Sequence, residues 1–346
     1  MKAHFLFYFL ICCCFACSTT KSIENKIAYF PPKNKEWATI PLEKKRWNKA
    51  KLGTALDYAK AQKSSGILIV KNGKILVETY WDISKSLENP LFKDFVPGKT
   101  PDGRLIEDVA SLQKSVVSLL VGIANGKGLL DLNASVSSIL GEEWSNATKS
   151  QEGSITVTHL LNMTSGLDVD LNFAHPVGTH WQYNNMTYSQ IIKILELITK
   201  KDINTLTKTW LGDQIGIQES YWGQRPERFP NRHGYMATHR DLARLGLLVL
   251  NKGFWQKKEV IQNAVYLKKA LSPSQHLNRQ YGYLYWLNTD KSSIPSGEAD
   301  MICMRGALNR YVYIAPSLDL VVVRLGDEAD RSFYEDFWAL LVAAMP

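Results

Sequence analysis

Two residues in the stretch ASLQKSVVSLLVGIANGKGLL (110–130), Ser111 and Lys114, have the types and spacing for acyl-transfer chemistry. A serine hydroxyl is a weak nucleophile. It needs a base to take its proton and donors for the negative charge that develops on the attacked carbonyl. A lysine can be that base only when neutral, a state that burial and nearby cations favour. Residues three apart share a helix face, and a helix start adds N–H groups and partial positive charge at the same spot. The spacing alone is weak, because Ser-x-x-Lys recurs at Ser18 and Lys21, in a stretch of tether composition. For an isolated match the plain reading is a helix cap beside a solvated lysine.

A second polar element comes from HPVGTHWQYNNMTYSQII, which sets Tyr183, Asn184 and Asn185 between a Pro-Gly turn and an amphipathic helix. A loop tyrosine there can share a proton with lysine and pass it to a leaving group, and Asn185 can orient the lysine or bind a substrate amide. The competing reading is an aromatic anchor followed by a helix cap. His233 is a further candidate to line a pocket, set against an ordinary packed loop histidine. His159 and His239 lie in helical patterns and read as structural, while Asp168, Asp170 and Asp241 read as caps or turns. The chain has no His-Glu-x-x-His, Gly-x-Ser-x-Gly or phosphate-loop motif. That removes the corresponding metalloprotease, α/β-hydrolase and nucleotide readings, and no metal or organic cofactor is expected.

The elements that must position these residues follow from hydrophobic periodicity. Val116, Leu119, Leu120 and Ile123 recur at helical spacing behind Ser111, and Gly126 and Gly128 close that helix. Residues 47–62 read as a helix, and SGILIVKNGKILVETYW reads as two strands joined at Asn72-Gly73, a strong hairpin signal. Helical patterns dominate from 109 to about 269. GYLYWLN, MICMRGA, RYVYIAP and DLVVVRLG then read as strands, and SFYEDFWALLVAAM as a closing apolar helix. Early and late strands can complete one antiparallel sheet. Terminal helices would then cover one face and the helical insertion the other, an α+β fold with Ser111 at the junction of two lobes. The expected organisation is one split domain over 46–346, with an α/β lobe (46–108 and 270–346) and a helical lobe (109–269).

A chain of 346 residues, 45% hydrophobic and 21% charged, can bury a sizeable core. Residues 1–17 read as a lipoprotein-type targeting segment: Lys2 precedes an apolar run that ends in CFAC-Ser, similar to a lipobox with Cys17 as the lipidated residue. An ordinary cleaved signal peptide is the alternative, and residues 18–45 read as a linker. Four of the five cysteines fall in the targeting segment, which leaves Cys303 without an internal disulfide partner. The net charge of +8 comes from residues 21–74, which hold thirteen Lys/Arg against four Asp/Glu, whereas residues 75–346 hold 27 against 29. A basic tether beside a near-neutral body suits an anionic membrane surface and argues against nucleic-acid binding.

Four ordered stretches, ASLQKS, ITVTHLLNMTSGL, YNN and ATHRDLARLGLLVLNKG, resemble the serine β-lactamase and D,D-peptidase superfamily. The resemblance is to its class C-like branch, with esterases and 6-aminohexanoate-dimer hydrolases, and covers about 66–326. It implies a β-lactamase/transpeptidase-like fold, Ser111 as nucleophile, Lys114 as base, Tyr183 as proton carrier and Asn185 as a positioning group. It also implies an oxyanion hole from the N–H groups of Ser111 and Ala307. The family's Lys-Thr-Gly strand motif is replaced by Met304-Arg305-Gly306. Gly306 fits, but no basic group stands at the first position, and Arg305 can point to either face of its strand. The expectation is an exported, lipid-anchored serine hydrolase of small esters or amides. A β-lactamase or D,D-carboxypeptidase is the alternative, and a weakly acylating binding or sensing module is a rival of another class. Substrate identity and oligomeric state stay open.

Overall fold

The computed structural model describes residues 29–33, 35–229 and 232–346. The targeting segment and Cys17 lie outside the described residues. The elements used below are α1 (Lys49–Ala61), β1 (Ser64–Lys71), β2 (Lys74–Tyr80), β3 (Leu105–Asp108), α2 (Gln113–Gly126), α3 (Asn185–Thr199), β4 (Tyr221–Gln224), β5 (His233–Ala237), α4 (His239–Leu250), β6 (Trp286–Leu287), β7 (Ile302–Gly306), β8 (Arg310–Ala315), β9 (Leu320–Gly326) and α5 (Phe333–Ala344).

The main sheet is antiparallel, in the order β2-β1-β9-β8-β7-β6, so strands from both ends of the chain meet where β1 pairs with β9. The β1–β2 hairpin turns at Asn72 (φ 51°) and Gly73 (φ 79°), both in the left-handed region that a two-residue turn of matching twist requires. Ile67, Ile69, Val322, Tyr313 and Cys303 face α1 and α5, while Leu68, Val70, Val323, Val312 and Met304 face α4 and the helical region. Strand alternation therefore sorts the two faces as the sequence pattern requires. Burial pushes the Cys303 thiol up to about 12, so it stays protonated and inert.

Two expectations need correction. The region from 109 to 269, read above as dominated by helices, also holds strands not expected there: β4 and β5 join β3 and a short strand, Gly98–Lys99, in a second, four-stranded sheet. Residues 29–33 and 35–40, part of the segment read above as linker, pack on the body. Phe30 and Trp37 are buried, Trp37 donates to the Gly73 carbonyl at 2.7 Å, and Arg244 donates to the carbonyls of Pro31 and Pro32 at 2.9 and 2.7 Å. No helix of the described residues is long and apolar enough to cross a membrane.

Candidate active site

Ser111 sits in a short 3-10 turn, Ala110–Leu112, that runs directly into α2. The helix is buried along nearly its whole length, so its apolar flanks anchor the turn in the core. Ala110 has φ 51°, an uncommon conformation for a residue with a Cβ. Its N–H donates to Asp108 Oδ1 at 2.8 Å, which holds the turn in that shape. Lys114, one turn on, donates to Ser111 Oγ at 3.1 Å and to Asn185 Oδ1 at 2.8 Å.

Asn184 and Asn185 divide two tasks. Asn184 is buried and caps α3, accepting from the N–H groups of Met186 and Thr187 at 2.8 and 3.2 Å and donating to the carbonyls of Leu167 and Asp168. The capping reading is thus satisfied by Asn184, which leaves Asn185 free to turn its carbonyl toward Lys114. The Lys114 ammonium position lies 4.8 Å from the Tyr183 ring centre and 4.7 Å from that of Tyr188. Aromatic faces attract a cation, but burial dominates here. Desolvation, helped by the Arg225 charge, lowers the Lys114 pKa to about 7. Burial likewise pushes Tyr183 up to about 12, against the pull of its hydrogen bond with Ser111 and of the Arg305 charge. The neutral amine is therefore populated near neutral pH, and the phenol keeps its proton.

The hairpin between β7 and β8 forms the opposite wall. Gly306 must be glycine because an added Cβ would run into the Val109 carbonyl oxygen and crowd Leu112 N at 3.3 Å. That close approach brings Ala307 beside Ser111 in an open cleft of about 580 Å³. The hairpin turns at Leu308 (φ 61°) and Asn309 (φ 54°), and Arg324, fully buried, donates to both of their carbonyls at 2.6 and 3.2 Å.

Arg305 also lines this cleft. Strand alternation places Met304 in the core on one face and Arg305 on the other. Its guanidinium lies over the rings of Trp286, Tyr311 and Tyr334 at 4.7, 5.1 and 5.2 Å. Arg305 thus lies on the face that α5 covers, beside Tyr334, and reaches the cleft at the end of β7. His233 stands apart from this cleft: its side chain is exposed and its carbonyl accepts from Gln113 Nε2 at 3.0 Å. The structure thus brings Ser111, Lys114, Tyr183, Asn185, Arg305, Gly306 and Ala307 together and leaves His233 out. His159 caps its own short helix through Nδ1, and His239 holds the Gly66 carbonyl at 3.0 Å.

Sequence reasoning missed several residues that shape the site. Trp286, Tyr311 and Tyr334, which hold Arg305, come from three separate elements, so no local pattern connects them. Asp108 and Arg225 pair beneath the Ser111 turn with Nε–Oδ2 at 2.6 Å and Nη2–Oδ1 at 2.8 Å. Glu107 and Asp108, adjacent carboxylates four and three residues before Ser111, were the one legible signal, and of the two Asp108 pairs with Arg225. Among the described residues no cluster of His, Cys, Asp and Glu could hold a metal ion.

The β-lactamase family model matches residues 54–344. Among solved structures, a protein described as a 6-aminohexanoate-dimer hydrolase from Bacillus anthracis aligns with TM-score 0.66 at 17% identity, over 93% of this chain and 92% of its own. One described as a β-lactamase from Bacteroides dorei aligns with TM-score 0.68 at 15% identity, over 86% and 99%. The octameric penicillin-binding protein homologue from Pyrococcus abyssi aligns with TM-score 0.62 at 16% identity, over 85% and 76%. Among curated proteins no sequence match is found. At these identities the structural likenesses speak for the fold. The family match, spanning most of the chain and including the Ser111–Lys114 pair, assigns the protein to the β-lactamase family.

Proposed function

We propose that this chain is a serine hydrolase that cleaves small esters or amides through an acyl-enzyme on Ser111. The observation that carries the reading is the Lys114 amine, buried, 3.1 Å from Ser111 Oγ and held near neutrality with a pKa of about 7. Ser111 Oγ attacks the carbonyl carbon as Lys114 takes its proton, and the N–H groups of Ser111 and Ala307 receive the oxyanion. Tyr183 gives its proton to the leaving group and takes in return the one held by Lys114. Asn185 keeps the amine aimed. Water then attacks the acyl carbon as Lys114 accepts its proton, and Lys114 returns that proton to Ser111 Oγ as the acyl–oxygen bond breaks.

The second reading, a β-lactamase or D,D-carboxypeptidase, is favoured by Arg305, whose place in the cleft gives a substrate carboxylate a planar cation to pair with. A charge-assisted hydrogen bond contributes about 1.5–3 kcal/mol, roughly one to two powers of ten in rate or affinity. The two readings separate by kinetics on a p-nitrophenyl ester and a penicillin, with wild type and Arg305→Ala. The esterase reading expects the neutral ester to be the better substrate and to survive the substitution. Penicillin turnover far above ester turnover, lost selectively in Arg305→Ala, would reverse the ranking. Stable penicillin adducts without turnover of either would mark a binding or sensing module.

Export with lipid attachment at Cys17 belongs to the same proposal, supported by the apolar run that ends at that cysteine. Metabolic labelling with a palmitate analogue should be lost in Cys17→Ala, and a mature protein that begins elsewhere would refute it.

A further inference from the structure

The pair Asp108–Arg225 lies behind Ser111, and none of the catalytic steps proposed above uses it directly. Both side chains are nearly inaccessible, at 2% and 8% exposure. Burying two charges carries a large desolvation cost, and a hydrophobic pair of equal volume often serves stability as well. Its geometry points to the site. Asp108 Oδ1 accepts from Ala110 N–H at 2.8 Å, fixing the left-handed residue next to Ser111. Arg225 spends its fork on Asp108 and extends Nη2 to Gln113 Oε1 at 2.9 Å, on the residue beside Lys114. Gln113 Oε1 also accepts from Tyr235 N at 3.1 Å, and its amide donates to the His233 carbonyl, so the network is tied to β5. Gly234 on that strand leaves room for the pair, since a Cβ there would meet Asp108 Oδ2 at 2.7 Å.

In the surroundings of Lys114 one cation adds to the effect of burial. Ser111 comes from the turn, and Asn185, Tyr183 and Tyr188 come from α3 and the segment leading into it. Tyr281 stands behind Tyr183 at 6.2 Å between ring centres. Burial raises the pKa of Tyr183, Tyr188 and Tyr281, so all three are neutral in the working pH range. Among the described residues no carboxylate pairs with Lys114. Arg305 acts on Tyr183 from the cleft side, and Arg225 is the charge that acts on Lys114 itself.

We propose that Asp108 and Arg225 are positioning residues of the active site: the carboxylate sets the Ser111 turn, and the guanidinium it clamps repels a proton from Lys114. The pair adds to burial in keeping Lys114 a base, where position 304 supplies no second basic group. This inference rests on the hydrolase reading for its consequence in catalysis, but the charge effect can be measured without it.

The test is the rate of fluorophosphonate labelling of Ser111 against pH. It is paired with the ¹³Cε shift of Lys114 titrated in Ser111→Ala protein, which needs no reactive serine. In Arg225→Gln both midpoints should rise by roughly one unit, the low end of what a nearby charge does. That is about tenfold in labelling rate at pH 6, recovering toward wild type at high pH. Arg225→Gln leaves Asp108 without its cation, so the double variant Asp108→Asn with Arg225→Gln, which strands no charge, should show the same direction of shift. Arg225→Lys keeps the charge and should keep the midpoint. Unmoved midpoints in the neutral variants, or a rate loss equal at every pH, would overturn the proposal and leave the pair a purely structural element. Loss of Ser111 labelling in wild type would overturn the hydrolase reading instead, while the Lys114 titration would still decide the role of Arg225.

Discussion

Replacing Lys114 by methionine removes a buried amine and keeps a chain of similar length. Its folded pKa is about 7 against an ordinary 10.5, because burial disfavours the charged form. Below pH 7 both folded and unfolded states bind the proton, and the folded state bears the full cost of the buried cation. Between 7 and 10.5 only the unfolded state holds it, so this lysine's penalty shrinks as pH rises and vanishes above 10.5. At about 1.4 kcal/mol per unit, the penalty is about 4–5 kcal/mol at pH 6 and about 2 kcal/mol at pH 9. Methionine escapes it but forfeits the hydrogen bonds to Ser111 and Asn185, each contributing about 1 kcal/mol. Lys114→Met should therefore be more stable than wild type by roughly 2–3 kcal/mol at pH 6 and about equal to it at pH 9. Urea unfolding of both proteins at the two pH values measures the difference. A substitution that destabilises equally at pH 6 and pH 9 would refute the claim that the folded state suppresses this lysine's charge.

Three further outcomes follow from the same geometry. Tyr183→Phe should lower kcat by about 10²–10⁴-fold with KM little changed, because the lost hydroxyl acts in proton transfer and not in substrate binding; steady-state kinetics on a p-nitrophenyl ester checks this, and an unchanged kcat would remove Tyr183 from the mechanism. Gly306→Ala drives a methyl toward the Val109 carbonyl and should cost ~1–3 kcal/mol by urea unfolding, as overpacking does. A neutral result there would mean that the Ala307 hairpin is not docked on the Ser111 turn. Wild-type labelling by a fluorophosphonate should fall on the acid side with a midpoint of about 7, following the neutral fraction of Lys114; a flat profile from pH 5 to 9 would deny Lys114 the role of base.

Much of the architecture was legible because it rests on local rules. The Asn72-Gly73 turn, the apolar face behind Ser111 and the late β-branched strands each carry a period or a turn residue of their own. The second sheet was not legible. YWGQ and HGYMA are four and five residues long; only Trp222 is buried in the first and every residue after His233 in the second, so neither gives an alternation to read. Residues 29–33 and 35–40 have tether composition, and their packing comes from distant partners, Gly73 and Arg244, that sequence does not connect to them. The site divides in the same way. Ser111 and Lys114 are neighbours on one turn and helix, so their spacing displayed them, whereas Arg225 stands 114 residues beyond Ser111 in a polar segment. Asn184 and Asn185 were equally suited to capping until the start of α3 assigned that task to the first.

Mass spectrometry of the purified protein after treatment with a fluorophosphonate tests the central claim most directly. The account predicts one covalent adduct per chain, on the peptide that holds Ser111, present in wild type and absent from Ser111→Ala. No adduct on that peptide, or equal labelling of wild type and Ser111→Ala, would contradict it.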